Sequence, residues 1–176
     1  AEEVGYKRIV RPAELASPTA QHVDAIVHAL GVMKDDGCEP DILVVLLANN
    51  AITKTEWIRE SIMNLIDNPG LSASCPVMLE LDRHPYRSKR LREDGCLDTW
   101  FDFHGRQIST NRQDLPLNYV LCHNFWSLRL LNSIYGKEEG QAPWRFMGNY
   151  VKPVIVKESF DVHDMDDIYR CLLYTS

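Results

Sequence analysis

Residues 42–47 read Ile-Leu-Val-Val-Leu-Leu, an unbroken apolar run rich in β-branched side chains. A run of that length and composition suits a strand covered on both faces, as in the middle of a parallel sheet, and is expected to be a central strand. Sequence with helical spacing lies on either side of it. Ser17-Pro18 offers a capping side chain and then proline at the first helical position, and Val23, Ile26, Val27 and Leu30 recur on one face. This predicts a helix over 18–33, broken by Lys34-Asp35-Asp36-Gly37. After the run, Thr53-Lys54-Thr55-Glu56 has capping-box spacing. Trp57, Ile58, Ile62, Leu65 and Ile66 then form the apolar stripe of a second helix, ended by Asn68-Pro69-Gly70.

Further strands are expected at 76–81, 119–124 and 153–156, and a short helix at 127–135. The Asp94-Gly95 pair between Leu91 and Leu97 reads as a hairpin tip beside residues 100–103, past which the sheet turns mixed. Strands alternating with amphipathic helices imply an α/β fold with right-handed crossovers and a site at the carboxyl ends of the strands.

The bulk composition narrows the function classes. With 45% hydrophobic residues, a 176-residue chain can bury the core of one soluble domain. Its net charge of −6 argues against a nucleic-acid partner, since a phosphate backbone calls for a broad basic face. Cys38, Cys75, Cys96, Cys122 and Cys171 are scattered without zinc or disulfide spacing, which fits a reducing cytoplasm. The apolar runs are too short to span a bilayer, so no membrane partner is expected.

Arg11-Pro12-Ala13-Glu14-Leu15-Ala16, followed by a helix carrying Val23 to Leu30, resembles the R-P-x-E-L-A segment of the acylneuraminate cytidylyltransferase family. That family makes CMP-activated sialic acids and relatives. The likeness continues through residues 44–58, through Arg112-Gln113-Asp114-Leu115-Pro116 with Tyr119, and through Ser159-Phe160-Asp161-Val162, in the family's order. It implies a Rossmann-like, GT-A-like nucleotidyltransferase with a mostly parallel sheet flanked by helices. The family's first strand and basic, glycine-rich triphosphate loop have no counterpart in the 176 residues. Residues 1–170 are thus expected to be a partial cytidylyltransferase domain, inactive by itself. Residues 171–176, Cys-Leu-Leu-Tyr-Thr-Ser, match the translation of a transposon-derived sequencing adapter, although Cys171 and Leu172 also continue a helical pattern.

The resemblance assigns roles residue by residue. Arg11, with Ala20 and His22 at the start of the following helix, is implied to hold the nucleotide base. His22 stands where sialate enzymes have a small hydroxyl residue. The family's Q-P-T-S-P-L-R is replaced from Leu47 through Asn49, Asn50 and Thr53, which changes the hydrogen bonds offered to the sugar and points to an acidic sugar other than sialic acid. Asn49 and Asn50 also suit a turn. Arg87, Arg112 and Gln113 fall where the family supplies groups for the sugar carboxylate, which a guanidinium fork fits well. The alternative for these arginines is a solvated basic strip. The family's N-G-x-I-Y becomes Cys122-His123-Asn124-Phe125-Trp126.

Asp161, His163 and Asp164 are the candidate ligands for Mg²⁺. The family's D-x-D falls on Asp161 and His163, and since histidine is a poor Mg²⁺ ligand, either Asp164 takes its place or Asp161 and water suffice. An acidic helix start is the other reading of this cluster. No catalytic base is identified, and Cys122, His123 and Ser127 lack the partners of a nucleophilic triad. The implied reaction is transfer of CMP from CTP to an acidic sugar with release of pyrophosphate, and a homodimer is an assembly that the resemblance allows. The rival is a non-catalytic nucleotide- or sugar-binding relative, or an assembly module.

Overall fold

The computed structural model describes residues 2–137 and 139–174. It contains helix α1 (His22–Asp35), strand β1 (Ile42–Leu46), helix α2 (Thr55–Asp67) and strand β2 (Ala73–Leu79). There follow β3 (Lys89–Leu91), β4 (Leu97–Thr99), β5 (Tyr119–Leu121), β6 (Phe125–Arg129), β7 (Val151–Ile155) and helix α3 (Met165–Tyr174). Helix α3 takes in residues 171–174 of the adapter-like end, whereas Thr175 and Ser176 lie outside the described residues.

The fold is α/β, but its main sheet is mixed. Strand β6 pairs antiparallel with β1 and with the start of β2, β5 pairs antiparallel with the end of β2, and only β7 pairs in parallel, along the other edge of β2. Strands β1, β2 and β7 therefore point the same way while β5 and β6 return between them. The expectation of a mostly parallel sheet is not met, because a counter-running strand separates β1 from β2. The interior strands are β2 and β6, and Phe125, Trp126, Ser127 and Leu128 of β6 are all buried. Strand β1 is half-buried, and among the described residues β6 is its one strand partner.

The helix expected at 127–135 is replaced by β6 and a single 3-10 turn, Leu130–Asn132. Leu128, Leu131 and Ile134 do fall at helical spacing. Ladder hydrogen bonds to β1 on one side and β2 on the other override that local preference. Helix α1 also starts later than Ser17-Pro18 implies. Residues Ala13–Ala16 form a 3-10 turn ending at Ser17, and the Gln21 N–H then donates to the Asp24 carboxylate at 3.3 Å to open the helix. The hairpin is as expected: Gly95 takes φ +79°, and the Asp94 carboxylate accepts from the Cys96 N–H at 2.9 Å.

Each sheet face has its own packing. Ile26 and Leu30 of α1 meet Ala73, Cys75, Trp126, Leu128 and Met147 on one face, while Cys122, Val154 and Val156 pack with Trp57 of α2 on the other. Small hydroxyls let α2 approach closely: Ser61 Oγ donates to the Ile58 carbonyl and lies 2.7 Å from Ser127 Oγ, both side chains fully buried. No helix among the described residues is long and apolar enough to cross a membrane.

The segment carrying Trp144, Phe146 and Met147 closes the α1 face, and it can do so because Gly148 abuts the start of β2. Gly148 has φ +77°, and a Cβ there would sit 2.5 Å from the Ser72 side chain. Gly37 shares the left-handed conformation at φ +78° but faces open space. Gly148→Ala is therefore expected to cost at least about 2 kcal/mol and Gly37→Ala about 1 kcal/mol, measured by urea denaturation. Equal costs for the two would show that the close approach at Gly148 is not a packing constraint.

Candidate functional site

The break between β5 and β6 creates the site. From the pair Val77 with Leu121 to the pair Ser74 with Ser127, β2 advances three residues while the facing chain advances six, so the chain bulges over Cys122–Asn124 once the Cys122 N–H has donated to the Pro76 carbonyl at 2.9 Å. Asn124 lands at the carboxyl end of β1, where its carbonyl accepts from the Leu47 N–H at 3.2 Å. Its side chain is fully buried and spends every hydrogen bond locally. Nδ2 donates to Asn50 Oδ1 at 2.7 Å and to the Ile52 carbonyl, and Oδ1 accepts from the Ser159 hydroxyl at 3.0 Å.

Asn50 carries the network onward. Its Nδ2 donates to Asp161 Oδ1 at 2.6 Å and to Ser159 Oγ at 3.2 Å, while its Oδ1 accepts from the Ile52 N–H at 3.0 Å. Backbone bonds add to this: Ala51 N–H donates to the Phe160 carbonyl at 3.0 Å and Val162 N–H to the Asn49 carbonyl at 2.8 Å. The turn after β1 and the segment after β7 are thus stitched into one rim at the carboxyl ends of the strands. Asn49 is exposed on that rim.

Beside the rim stands a wall of rings. His22, the first residue of α1, and His123 each stand nearly perpendicular to Trp126, with centroids 5.7 and 5.8 Å away, and His123 lies 5.1 Å from Trp144. Burial pushes the His123 imidazole below its ordinary pKa, with the Asp161 carboxylate opposing and His22 adding to the shift. The neighbouring Cys122 thiol is pushed up by burial, and Ser127 is engaged with Ser61, so neither is set up as a nucleophile. His22, Leu47 and Asn49 also border one apolar groove between α1 and β1, of about 550 Å³.

The structure accordingly brings together His22, Leu47, Asn49, Asn50 and Asp161 from the residues named on sequence grounds. Ala20 is half-buried and precedes α1 by a turn, and Arg11 is exposed just beyond Val10, whose carbonyl is 3.2 Å from His28 Nε2 of α1. Arg87 and Arg112 form a second cluster past the end of β2. Arg112 Nη1 donates to the Asp82 carboxylate at 2.6 Å and Arg87 Nη1 to the Asp82 carbonyl at 3.3 Å. Gln113 is exposed beside them.

Asp161, His163 and Asp164 do not converge as a ligand set, and no group of three or more His, Cys, Asp or Glu among the described residues is placed to hold a metal. Asp164 Oδ1 accepts from the Asp167 N–H at 3.0 Å, and the His163 N–H donates to Asp167 Oδ2 at 2.9 Å. Both residues thereby serve the start of α3. Asp161 alone faces the Asn49–Asn50 turn, with one carboxylate oxygen committed to Asn50.

Sequence reasoning reached residues 122–126, as a departure in the sugar pocket, and 159–162 as segments, but gave Asn124, Trp126 and Ser159 no individual roles and did not name Trp144. The available signal was the polar interruption at His123-Asn124 between two apolar runs, which marks a bulge rather than a continuous strand. No protein-family model matches the chain, and no curated protein matches it either.

Two measurements test this geometry. Asn124→Ala leaves the Ile52 carbonyl and the Ser159 hydroxyl without their partner and is expected to cost about 2–4 kcal/mol, against about 1 kcal/mol for Ser159→Ala. A near-neutral Asn124→Ala in chemical denaturation would remove its central role. The second concerns pH. The folded pKa of His123 lies below the unfolded value of 6.5, so the folded state resists the proton that the unfolded chain accepts. This contribution to stability is intact above about pH 6.5 and is lost as pH falls through that value towards the folded pKa. His123→Gln should flatten the decline in melting temperature below about pH 6.5. An unchanged decline would show that His123 is not its source.

Proposed function

We propose that this domain handles a cytidine nucleotide and an acidic sugar, as part of a cytidylyltransferase that transfers CMP from CTP and releases pyrophosphate. The observation that carries the reading is the meeting of separate segments, each named from the sequence, on one rim: His22 at the start of α1, Leu47 to Asn50 after β1, and Asp161 after β7. The sheet places that rim at the carboxyl ends of β1 and β7, where α/β folds gather their ligands. A Rossmann-like nucleotidyltransferase ancestry is compatible with three co-directional strands, the return strand being the departure.

In this reading Arg11, exposed ahead of α1, donates to the base carbonyl, and Ala20 and His22 flank the base. Leu47 and the exposed Asn49 line the sugar side, with Asn50 holding the Asp161 carboxylate in place. Arg112, with Arg87 and Gln113 beside it, binds the sugar carboxylate, which must displace Asp82 from the guanidinium to do so. Mg²⁺, held by Asp161 together with water and phosphate oxygens, would supply charge neutralisation at the triphosphate. The chain's own contribution is positioning. A non-catalytic binding role has one observation in its favour, the commitment of one Asp164 carboxylate oxygen to the start of α3.

The sequence contains no basic, glycine-rich loop, so the chain alone is expected to bind CTP and leave it intact. Joined to any upstream portion of its gene that supplies such a loop, it should transfer labelled CMP to one member of a panel of sugar acids with Mg²⁺ present. Turnover of CTP at enzyme-like rates by the 176 residues alone would refute the requirement for that loop. Absence of transfer by the extended protein, with CTP bound, would replace the enzyme with the binding-only relative.

A further inference from the structure

Trp126 is 1% exposed, and its Nε1–H is one of the few buried polar side-chain atoms without a hydrogen-bond partner. A buried donor with no acceptor is costly, and native proteins retain few of them without a use. The location is informative. The indole lies at the core end of the ring wall, against His22, His123 and Phe146, directly beneath the first turn of α1. His22 is exposed on its outer side and stands edge-on to the indole, so the ring next to Trp126 at the start of α1 belongs to a side chain with room to turn away.

We propose that the Trp126 indole N–H is a ligand donor that binds the ring carbonyl of a nucleobase, uncovered when His22 swings outward. The inference rests on the reading of this rim as a cytidine nucleotide site and adds a second donor to the base carbonyl beside Arg11. The chemistry favours a base over the other parts of the substrates. Trp126, Trp144 and Phe146 make the surroundings of the N–H apolar and aromatic. A phosphate or a sugar carboxylate would lose its hydration among those rings. A planar, uncharged ring loses little, stacks on the aromatic wall and offers the acceptor that the indole lacks.

The test follows the indole N–H resonances of the four tryptophans by ¹H–¹⁵N NMR, with Trp126 assigned from its loss in Trp126→Phe. If that variant does not fold, contacts from the indole proton to the Phe146 ring supply the assignment in the unaltered chain. Cytidine and CTP are expected to move the Trp126 indole peak downfield, and ribose 5-phosphate to leave it in place. Trp126→Phe should weaken cytidine binding by about threefold to tenfold, the loss of a single hydrogen bond. If CTP perturbs the amides of Asn49 and Asp161 while cytidine leaves the Trp126 indole unmoved, the indole assignment is overturned and the nucleotide reading of the rim survives. If ribose 5-phosphate moves the indole peak as cytidine does, the base is not what it binds. If neither CTP nor cytidine perturbs any resonance of the rim, both proposals fall together.

Discussion

The structure depends on how one buried amide is satisfied. Asn124 has no water to turn to, so its amide must find partners inside the protein, and the three it finds belong to the turn after β1 and the segment after β7. An amide in such a place is stabilising only when complete. That requirement fixes the relative position of two segments separated by more than a hundred residues. It also explains the bulge at Cys122–Asn124: an uninterrupted ladder would point the Asn124 side chain along a sheet face, away from the ends of the neighbouring strands. Asn50 and Asp161 inherit their orientation from this arrangement, as each is held by an atom that Asn124 or Ser159 has already placed.

What could be read from the residues was what depended on near neighbours. The Asp94-Gly95 hairpin is determined by a carboxylate reaching the N–H two residues on and by a glycine free to take positive φ, all within the turn itself. Helix α2 followed from its own apolar stripe. Strand β6 was hidden because its spacing satisfies a helix equally well, and the decision is made by β1 and β2, which are remote in sequence. The run at 42–47 looked central because it is apolar throughout, yet β1 is only half-buried, paired among the described residues with β6 alone and separated from α1 by a groove.

The site divides along the same line. Asn49, Asn50 and Asp161 were reachable because they stand within recognisable segments, whereas Ser159 and Asn124 acquire a role only through each other. The three residues proposed for a metal have separate local partners. Closely spaced in sequence, they divide in the fold, Asp164 Oδ1 accepting from the first turn of α3 and Asp161 Oδ1 from Asn50. Arg87 and Arg112, nominated for one carboxylate, meet at one residue, Asp82, whose carboxylate takes Arg112 and whose backbone carbonyl takes Arg87.

The return strand also has a consequence for the order of folding. Strands β1 and β2 are both complete by residue 79, but they cannot pair with each other, because the place between them belongs to residues 119–129. During synthesis the first half of the chain must therefore wait with two apolar strand edges unsatisfied until β6 leaves the ribosome. Such long-range pairing slows folding and prolongs exposure of sticky backbone. Helices α1 and α2, one for each face, are the elements able to shelter those strands in the interval, which gives the early amphipathic segments a task that the finished fold no longer displays.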